Sequence, residues 1–382
     1  MAFVWIQYEN QTLAKIQENS MVHTVESDNK PTTMKEDFSD NDNNGMKMLE
    51  AWKEKSPGFA TTLSAWHAKH PLPTVNRPFV FFHLRKAGGT SLRKSIHKAS
   101  VTHKLESWIP CFNPNRCVPF SLPPNSGRMV VYASHINYAH TTQLIRELRG
   151  KTSAATSQTI SNQEGMPTSV TFSSLDTEET LRRSFGTCLA NIRPTVDRVK
   201  SCWNFRMVQT APKAWKLPPA DTMTAEEWDI LLPNAVDKYG NGCSNEIARI
   251  FGNTQDEKAV NHLSLQNNGQ HFWNELERVF YRMTGCVMVR VDRCEDSNTI
   301  LKHYLPWMKE DLCGTKMNAG RISSKKQDLA TDVQEIILKH NQFDDLAFEF
   351  GANLFEEQLR VATAAIAAAV NTTDLENTGK MK

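Results

Sequence analysis

The sequence predicts an α/β fold in which a P-loop-like parallel sheet is flanked by helices on both faces. Two observations support this prediction. Short apolar runs alternate with amphipathic segments over about residues 77–360, and such alternation is typical of βαβ units. One apolar run leads at once into a glycine-containing turn and a helix, which is the order of a phosphate-binding unit. The chain can bury a large core, since 40% of its 382 residues are apolar.

Composition divides the chain into one domain and two tails. Residues 1–50 are rich in Asn, Asp, Ser and Lys, which predicts a disordered N-terminal tail. A single domain is predicted at 51–365, with a flexible Ser- and Thr-rich insertion at about 151–178, followed by a C-terminal tail at 366–382. Within the domain, Ala51–His70 predicts a helix before the first strand. No apolar run reaches the roughly 18 residues of a membrane span, so no membrane segment is predicted.

The charge balance and the cysteine spacing argue against two classes of protein. With 44 Lys and Arg against 42 Asp and Glu, the net charge of +2 is too small for sequence-independent binding of nucleic acid, so any anion site must be local. The eight cysteines show no C-x-x-C spacing, and no structural metal is predicted. Cys111 and Cys117 flank a turn-forming stretch, and the sequence leaves open whether they form a disulfide or remain buried thiols.

The first predicted unit is a strand, a loop and a helix. The strand is Phe79–His83. Gly88 and Gly89 follow it and allow backbone N–H groups to turn toward an anion, because glycine has no Cβ. The helix begins at Thr90, and its N-terminus directs a partial positive charge at the same place. These features predict an anion-binding loop with Lys86 at its edge.

The position of Lys86 narrows the choice of anion. A Walker A loop places its lysine after the glycines, whereas Lys86 precedes Gly88 and Gly89. This order argues against an ordinary ATPase or GTPase. The simplest alternative is a Gly-Gly turn that joins a strand to a helix and binds nothing.

Two further strands each place a candidate site residue at their carboxyl ends. The strand Met129–Ser134 is followed by His135, and the strand Gly186–Ile192 is followed by Arg193. Ligands of open α/β sheets bind at this edge. The helix Pro194–Trp203 comes next, and a proline suits its first turn because the missing N–H has no intrahelical partner there.

The rest of the sequence adds helices and one strand. The strand, Gly285–Val291, is rich in valine. Hydrophobic spacing and turn signals predict helices at 224–232, 245–252, 271–283, 295–304, 328–339 and 344–369. These helices are expected to cover the sheet or to shape a cleft for a second substrate.

The stretch from His83 to Leu92 resembles a motif of the sulfotransferases that use 3′-phosphoadenosine 5′-phosphosulfate (PAPS). The resemblance is to the carbohydrate (Golgi-type) branch, whose 5′-phosphosulfate loop has the pattern His-x-x-Lys-[Thr/Ala]-Gly-Gly-Thr-Ser-Leu. The resemblance extends over about residues 77–360, and it implies the sulfotransferase fold.

A second motif resembles the 3′-phosphate site of the same family, written Arg-Asp-Pro-x-x-Arg-x-x-Ser. Arg193, Arg198 and Ser201 fall in register with it, while Pro194 and Thr195 replace Asp-Pro. Guanidinium and hydroxyl groups suit a phosphate because they offer several hydrogen-bond donors. A ligand held at both motifs carries anionic groups at two ends, as PAPS does.

The resemblance implies roles for named residues. Lys86 and His135 take the catalytic roles, Lys86 at the departing oxygen and His135 as the base that receives the acceptor proton. The residues implied to bind PAPS are Arg85, Lys86, Ala87, Gly88, Gly89, Thr90, Ser91, Arg193, Arg198 and Ser201. His83 and His140 are alternative bases, and Ser134 stands where the family carries a glycine.

The function implied by the resemblance is transfer of a sulfuryl group from PAPS to a hydroxyl of a glycan, without a metal, in the Golgi lumen. A soluble or cytoplasmic location is the alternative, because no anchor is visible in the sequence. Two other functions stay open. One is an ATP-dependent P-loop phosphotransferase, and the other is a catalytically impaired nucleotide-binding relative, suggested by Ser134, Pro194 and Thr195.

Overall fold

The structure is a computed structural model that describes ten stretches of the chain. They are residues 38–110, 128–139, 141–142, 145, 186–210, 217–236, 242–252, 265–309, 311–313 and 328–379. The chain divides into two compact units, residues 1–44 and 45–382. Of the first unit only residues 38–44 are described, and they are helical. The sheet and the candidate site belong to the second unit.

Five parallel strands form the sheet within the described residues. They are β1 (Phe79–Phe82), β2 (Ser107–Trp108), β3 (Val131–Ser134), β4 (Thr187–Ile192) and β5 (Cys286–Arg290). Their order is β2-β3-β1-β4-β5, and every pairing is parallel. The α/β prediction is confirmed at this level. β2 was not predicted, since two residues are too few to leave a periodic signal.

The helices alternate with the strands along the chain. The α-helices are α1 (Phe38–Lys69), α2 (Gly89–Thr102), α3 (Thr195–Trp203), α4 (Ala225–Leu231), α5 (Glu246–Phe251), α6 (Leu265–Met283), α7 (Cys294–Tyr304), α8 (Thr331–His340) and α9 (Gln342–Gly379). A π-helix, Asn204–Thr210, continues α3, and short 3₁₀ helices lie at Ala220–Thr222 and Val291–Arg293. The predicted helices therefore exist, although the first begins well before its predicted start and the last ends well beyond its predicted end.

Both faces of the sheet are covered. Every residue of β1, β3 and β4 is buried, and successive residues of a strand point to opposite faces. Helix α2 contacts β3, α7 contacts β5, and α9 contacts β4 and β5. A parallel sheet buried in this way reads as continuous apolar runs, which is the signal that predicted these strands.

The register brings the carboxyl ends of three strands to one level. In β1, Phe82 pairs with Ser134 of β3 on one side and with Ala190 of β4 on the other. β1 is the central strand, and the chain continues to β3 on one side and to β4 on the other. Residues that follow these three strands consequently meet at one edge, at the point where ligands bind in open α/β sheets.

A smaller apolar cluster fixes α3 in place. The rings of Trp203 and Trp228 pack with centroids 4.8 Å apart, and both side chains are fully buried. Trp203 donates from Nε1 to the carbonyl of Pro218 at 2.9 Å. α3 is thereby held against α4 and α8, which positions the helix that carries Ser201.

Three disulfides link the described cysteines. They are Cys188–Cys286, Cys202–Cys243 and Cys294–Cys313. The first joins β4 to β5 at residues that are paired in the sheet. None of the three was predicted, because the partners are 98, 41 and 19 residues apart in sequence. Cys111 and Cys117 lie outside the described residues, so their prediction stays open.

Two predicted boundaries of the domain fall inside helices. Residues 38–50 were assigned to the N-terminal tail, but they form the first turns of α1. Residues 366–379 were assigned to the C-terminal tail, but they continue α9, for which their many alanines have a high helix propensity. Residues 1–37 and the predicted insertion at 151–178 lie outside the described residues. Among the residues that are described, no helix is long and apolar enough to cross a membrane.

Candidate functional site

The loop between β1 and α2 has an unusual backbone. Lys86 has a φ of 64°, and Gly88, the N-cap of α2, has φ 86° and ψ 8°. A positive φ is uncommon for a residue other than glycine, and such residues concentrate at functional sites. The start of the loop is held by Asn191 of β4, whose amide accepts from Leu84 N at 3.0 Å and donates to Leu84 O at 3.2 Å.

Gly88 and Gly89 are required by their neighbours as well as by the turn. A Cβ at Gly88 would lie 2.2 Å from Cγ2 of Val291, and a Cβ at Gly89 would lie 1.9 Å from Cδ2 of His83. Side chains from two other parts of the chain thus fill the space under the loop. No side chain caps α2, and no acidic residue lies in its first turn. The first N–H groups of a helix have no intrahelical partner, so this end can bind an anion.

Lys86 lies in a cationic environment. Its Nζ is 4.0 Å from the centroid of the Phe205 ring. Burial lowers the pKa of Lys86 to about 8, with further contributions from the charges of Arg193 and Arg206. Arg193 also donates from Nη1 to the Lys86 carbonyl at 3.1 Å. The structure therefore brings the lysine of the first motif and the leading arginine of the second motif together.

Arg193 and Ser201 remain accessible. About a third of the Arg193 side chain is exposed, and its Nη2 is 3.8 Å from the exposed carboxylate of Asp197, a separation too long for a strong ion pair. Ser201 is half-buried on α3. Both side chains are therefore partly open to solvent, and Arg193 contacts the loop through the Lys86 carbonyl.

Arg198 does not lie with them. It is 2% exposed, and it donates to the carbonyl of Cys243 at 3.0 Å and to Oδ1 of Asn341 at 3.1 Å. Its Nη2 is also 3.1 Å from Oδ2 of Asp344. The guanidinium is surrounded by acceptors of the chain itself, which gives Arg198 a structural position, and its predicted place in the 3′-phosphate site stays a prediction.

Arg85 is likewise taken up by the chain. Its guanidinium forms a bidentate ion pair with Glu246 of α5, which also pairs with Arg249. Burial alone would raise the pKa of Glu246, but the charges of Arg85 and Arg249 lower it below its usual value. The side chain of Arg85 thus joins the loop to helix α5, and its predicted role in binding the donor stays a prediction.

The other loop residues differ in access. Ala87 is buried, so it can offer a ligand only its backbone. Ser91 is also buried, whereas Thr90 is half-buried at the first turn of α2. These positions are compatible with the predicted role of the segment, which is to donate backbone and hydroxyl hydrogen bonds to PAPS.

His135 is stacked on His83. The ring centroids are 3.9 Å apart, and Nδ1 of His135 lies 2.9 Å from the carbonyl oxygen of His83. A carbonyl only accepts, so Nδ1 carries the proton and Nε2 keeps its lone pair. Burial, together with the charges of Arg93 and Arg85, lowers the pKa of His135 to about 3. His135 is therefore neutral at pH 7.

His83, one of the two alternative bases, lies deeper. It is 4% exposed, and its Nδ1 has no hydrogen-bond partner within the described structure. Burial lowers its pKa well below the usual value, with the neighbouring His135 and Arg93 contributing. Its ring packs against His135 and Gly89 and is almost fully shielded from solvent. His140, the other alternative, lies outside the described residues.

Arg93, Phe205 and Arg206 belong to the site although the sequence did not point to them. Arg93 is one turn beyond Gly89 on the same face of α2, and this face is turned toward His83. Phe205 and Arg206 lie on the π-helix, an element that often occurs at functional sites. An arginine in a helix gives no signal of its surroundings, and a π-helix cannot be read from hydrophobic spacing.

Comparison of the chain with protein-family models, with curated proteins and with solved structures found no match. The class of the protein is defined by its own geometry. It is an α/β protein with a cationic site at the carboxyl edge of a parallel sheet, where a helix N-terminus, a lysine and a neutral histidine lie close together. Such an arrangement can hold an anionic ligand and remove a proton beside it.

Proposed function

We propose that the protein is a PAPS-dependent sulfotransferase with the sulfotransferase fold, and that it transfers a sulfuryl group to a hydroxyl of a carbohydrate. The observation that carries the proposal is the contact between Arg193 Nη1 and the carbonyl of Lys86 at 3.1 Å. Lys86 and Arg193 are 107 residues apart in sequence, and a single small ligand with two anionic ends can reach both motifs. This geometry favours PAPS over nucleotides that lack a 3′-phosphate.

In the proposed complex, the donor binds through its two phosphates. The N-terminus of α2, with Thr90 and Ser91, holds the 5′-phosphate, and Arg193 with Ser201 holds the 3′-phosphate. Lys86 stabilises the charge that develops on the bridging oxygen as it departs. Its Nζ moves toward this oxygen from the ring of Phe205, on which it rests.

His135 acts as the base in this proposal. The hydrogen bond from its Nδ1 to the His83 carbonyl fixes the ring and leaves Nε2 to receive the acceptor proton. The negative charge of a bound donor raises the pKa of His135, because an anion favours the charged form of histidine. Donor binding thus prepares the base for the acceptor.

The acceptor and the compartment follow from the family resemblance, with one structural observation in support. Disulfides persist in oxidising compartments and are rare in the cytosol, and the described residues contain three of them. This favours a secretory location, such as the Golgi lumen, over the cytoplasm. A glycan hydroxyl is the proposed acceptor.

Thermal stabilisation by nucleotides tests the donor. We expect 3′-phosphoadenosine 5′-phosphate (PAP) to raise the melting temperature more than AMP at the same concentration, since only PAP carries the 3′-phosphate. A larger shift with ATP and Mg²⁺ would instead favour a phosphotransferase. Transfer of labelled sulfate from PAPS to a panel of glycans then tests the reaction, and specific binding of PAP without any transfer would favour a catalytically impaired relative.

A further inference from the structure

Arg93 carries a buried charge that the chain does not neutralise. Only 7% of the residue is exposed, and its Nε and Nη1 atoms have no hydrogen-bond partner in the described structure. No described acidic group forms an ion pair with it. Burying an unpaired charge is unfavourable, and burial lowers the pKa of this guanidinium to about 10. An arginine in this state is prepared to receive an anion.

Arg93 lies beside the proposed base. It is one turn beyond Gly89 on the face of α2 that is turned toward His83, and its charge acts on both His83 and His135. The charges that act on Lys86 come from Arg193 and Arg206, and Lys86 in turn acts on His83. The site thus has cations beside the motifs proposed to hold the phosphates of the donor and a further cation beside the proposed base.

We propose that Arg93 binds the oxygens of the sulfuryl group during its transfer. This inference rests on the proposed function. An in-line transfer moves the sulfuryl group from the phosphate side of the site, at Lys86, to the acceptor oxygen, at His135. Arg93 lies at the second of these places and has free donors to offer. Arg93 therefore contacts the sulfuryl group and neither of the two phosphates.

The step balances without another reactant. The bond between sulfur and the oxygen of the 5′-phosphate breaks, and that oxygen keeps the electron pair. A bond forms between sulfur and the acceptor oxygen, whose proton goes to Nε2 of His135. The products are PAP and a sulfate ester. The three remaining sulfuryl oxygens keep negative charge throughout, and a guanidinium directed at them stabilises the transition state.

A carboxylate of the acceptor is the competing partner for Arg93. The burial of Nε and Nη1 argues against it, because a group on a glycan chain would have to enter deeply to reach these atoms. The sulfuryl group belongs to the donor, which is itself bound in the loop. The two possibilities differ in what the Arg93→Met variant does to binding of PAPS when no acceptor is present.

The test compares the affinities for PAPS and PAP in the absence of acceptor, by calorimetry. We expect Arg93→Met to weaken PAPS about 10- to 100-fold, the effect of losing charged hydrogen bonds, and to leave PAP nearly unchanged, since PAP has no sulfuryl group. Arg93→Lys should keep part of the preference for PAPS. Lys98→Met, an exposed position on the same helix, is the matched control and should alter neither affinity.

The stability of the variant separates this role from a structural one. Removing an unpaired buried charge should leave the melting temperature of the ligand-free protein unchanged or raise it. A destabilised Arg93→Met protein, or equal weakening of PAPS and PAP, would overturn the inference. So would unchanged PAPS binding with a raised KM for an acidic acceptor, which would assign Arg93 to the acceptor. If the wild type fails to prefer PAP over AMP, the proposed function itself fails and the inference with it.

Discussion

Arg85 and Lys86 are neighbours in sequence, yet they lie in opposite electrostatic surroundings. Arg85 is 4% exposed and forms a bidentate pair with Glu246. Lys86 forms no ion pair with a described residue, and it rests on the ring of Phe205 with other cations nearby. The comparison teaches that a basic residue of a phosphate motif is available to a ligand only when the chain has not already supplied its counter-charge.

The same contrast separates Arg193 from Arg198. Arg198 is enclosed by Cys243, Asn341 and Asp344, whereas Arg193 is partly exposed and contacts the Lys86 carbonyl. The buried, ion-paired Arg85 and Arg198 hold loops and helices together, whereas Lys86 and the partly exposed Arg193 lie at the candidate site. Three predictions follow from this division.

The largest effect is expected for the proposed base. His135→Ala should lower kcat about 10²–10⁴-fold, the usual contribution of a general base, while PAP still binds. Turnover is measured with PAPS and an acceptor found in the glycan panel. His271→Ala, an exposed position on α6, is the control and should keep its activity. An unchanged rate in His135→Ala would remove this histidine from the mechanism.

The next effect distinguishes the two arginines. Arg198→Met should destabilise the protein by about 3–5 kcal/mol, because it leaves the carboxylate of Asp344 buried without its partner. The free energy of unfolding in denaturant measures this change. Arg193→Met should alter that free energy by less than about 1 kcal/mol, but weaken PAP about 10- to 100-fold.

Two results would contradict the roles assigned to these arginines. If the Arg198→Met variant has the same denaturation midpoint as the wild type but loses its affinity for PAP, Arg198 contacts the ligand. If Arg193→Met weakens PAP and AMP equally, the 3′-phosphate lies elsewhere, since AMP has none.

The smallest effect concerns pH and Lys86. The folded-state pKa of about 8 lies below the usual 10.5, so between these values the unfolded chain binds more protons. The free energy of unfolding should therefore rise with pH over this window through the contribution of Lys86. The wild type and Lys86→Met are compared by denaturation from pH 7 to 10. A parallel pH dependence in the two proteins would mean that Lys86 is not buried among cations.

Sequence reasoning located the strands and the loop because their signals are local. Phe79–His83 is a continuous apolar run, and Gly88 and Gly89 mark the turn directly. It could not tell Arg85 from Lys86, because the carboxylate that pairs with Arg85 is 161 residues away. It also missed Arg93, because the sequence does not show that two of its buried guanidinium nitrogens have no hydrogen-bond partner among the described residues.

The disulfide pairing could not be predicted from the sequence for a similar reason. Cys188 and Cys286 belong to strands that were predicted, but only the strand order of the sheet shows that these strands are neighbours. The extension of α1 back to Phe38 was also missed, since its first residues are polar and carry no apolar face. Local composition there favoured a tail.

The bond between Cys188 and Cys286 closes a loop of the chain that contains the second bond, Cys202–Cys243. Arg193, Ser201, Phe205 and the whole of α5 lie inside that loop. A protease that cuts one peptide bond anywhere between residues 188 and 286 would thus leave two pieces that still migrate as one molecule on a non-reducing gel. The half of the pocket proposed to grip the 3′-phosphate stays tethered to the sheet even when its backbone is interrupted.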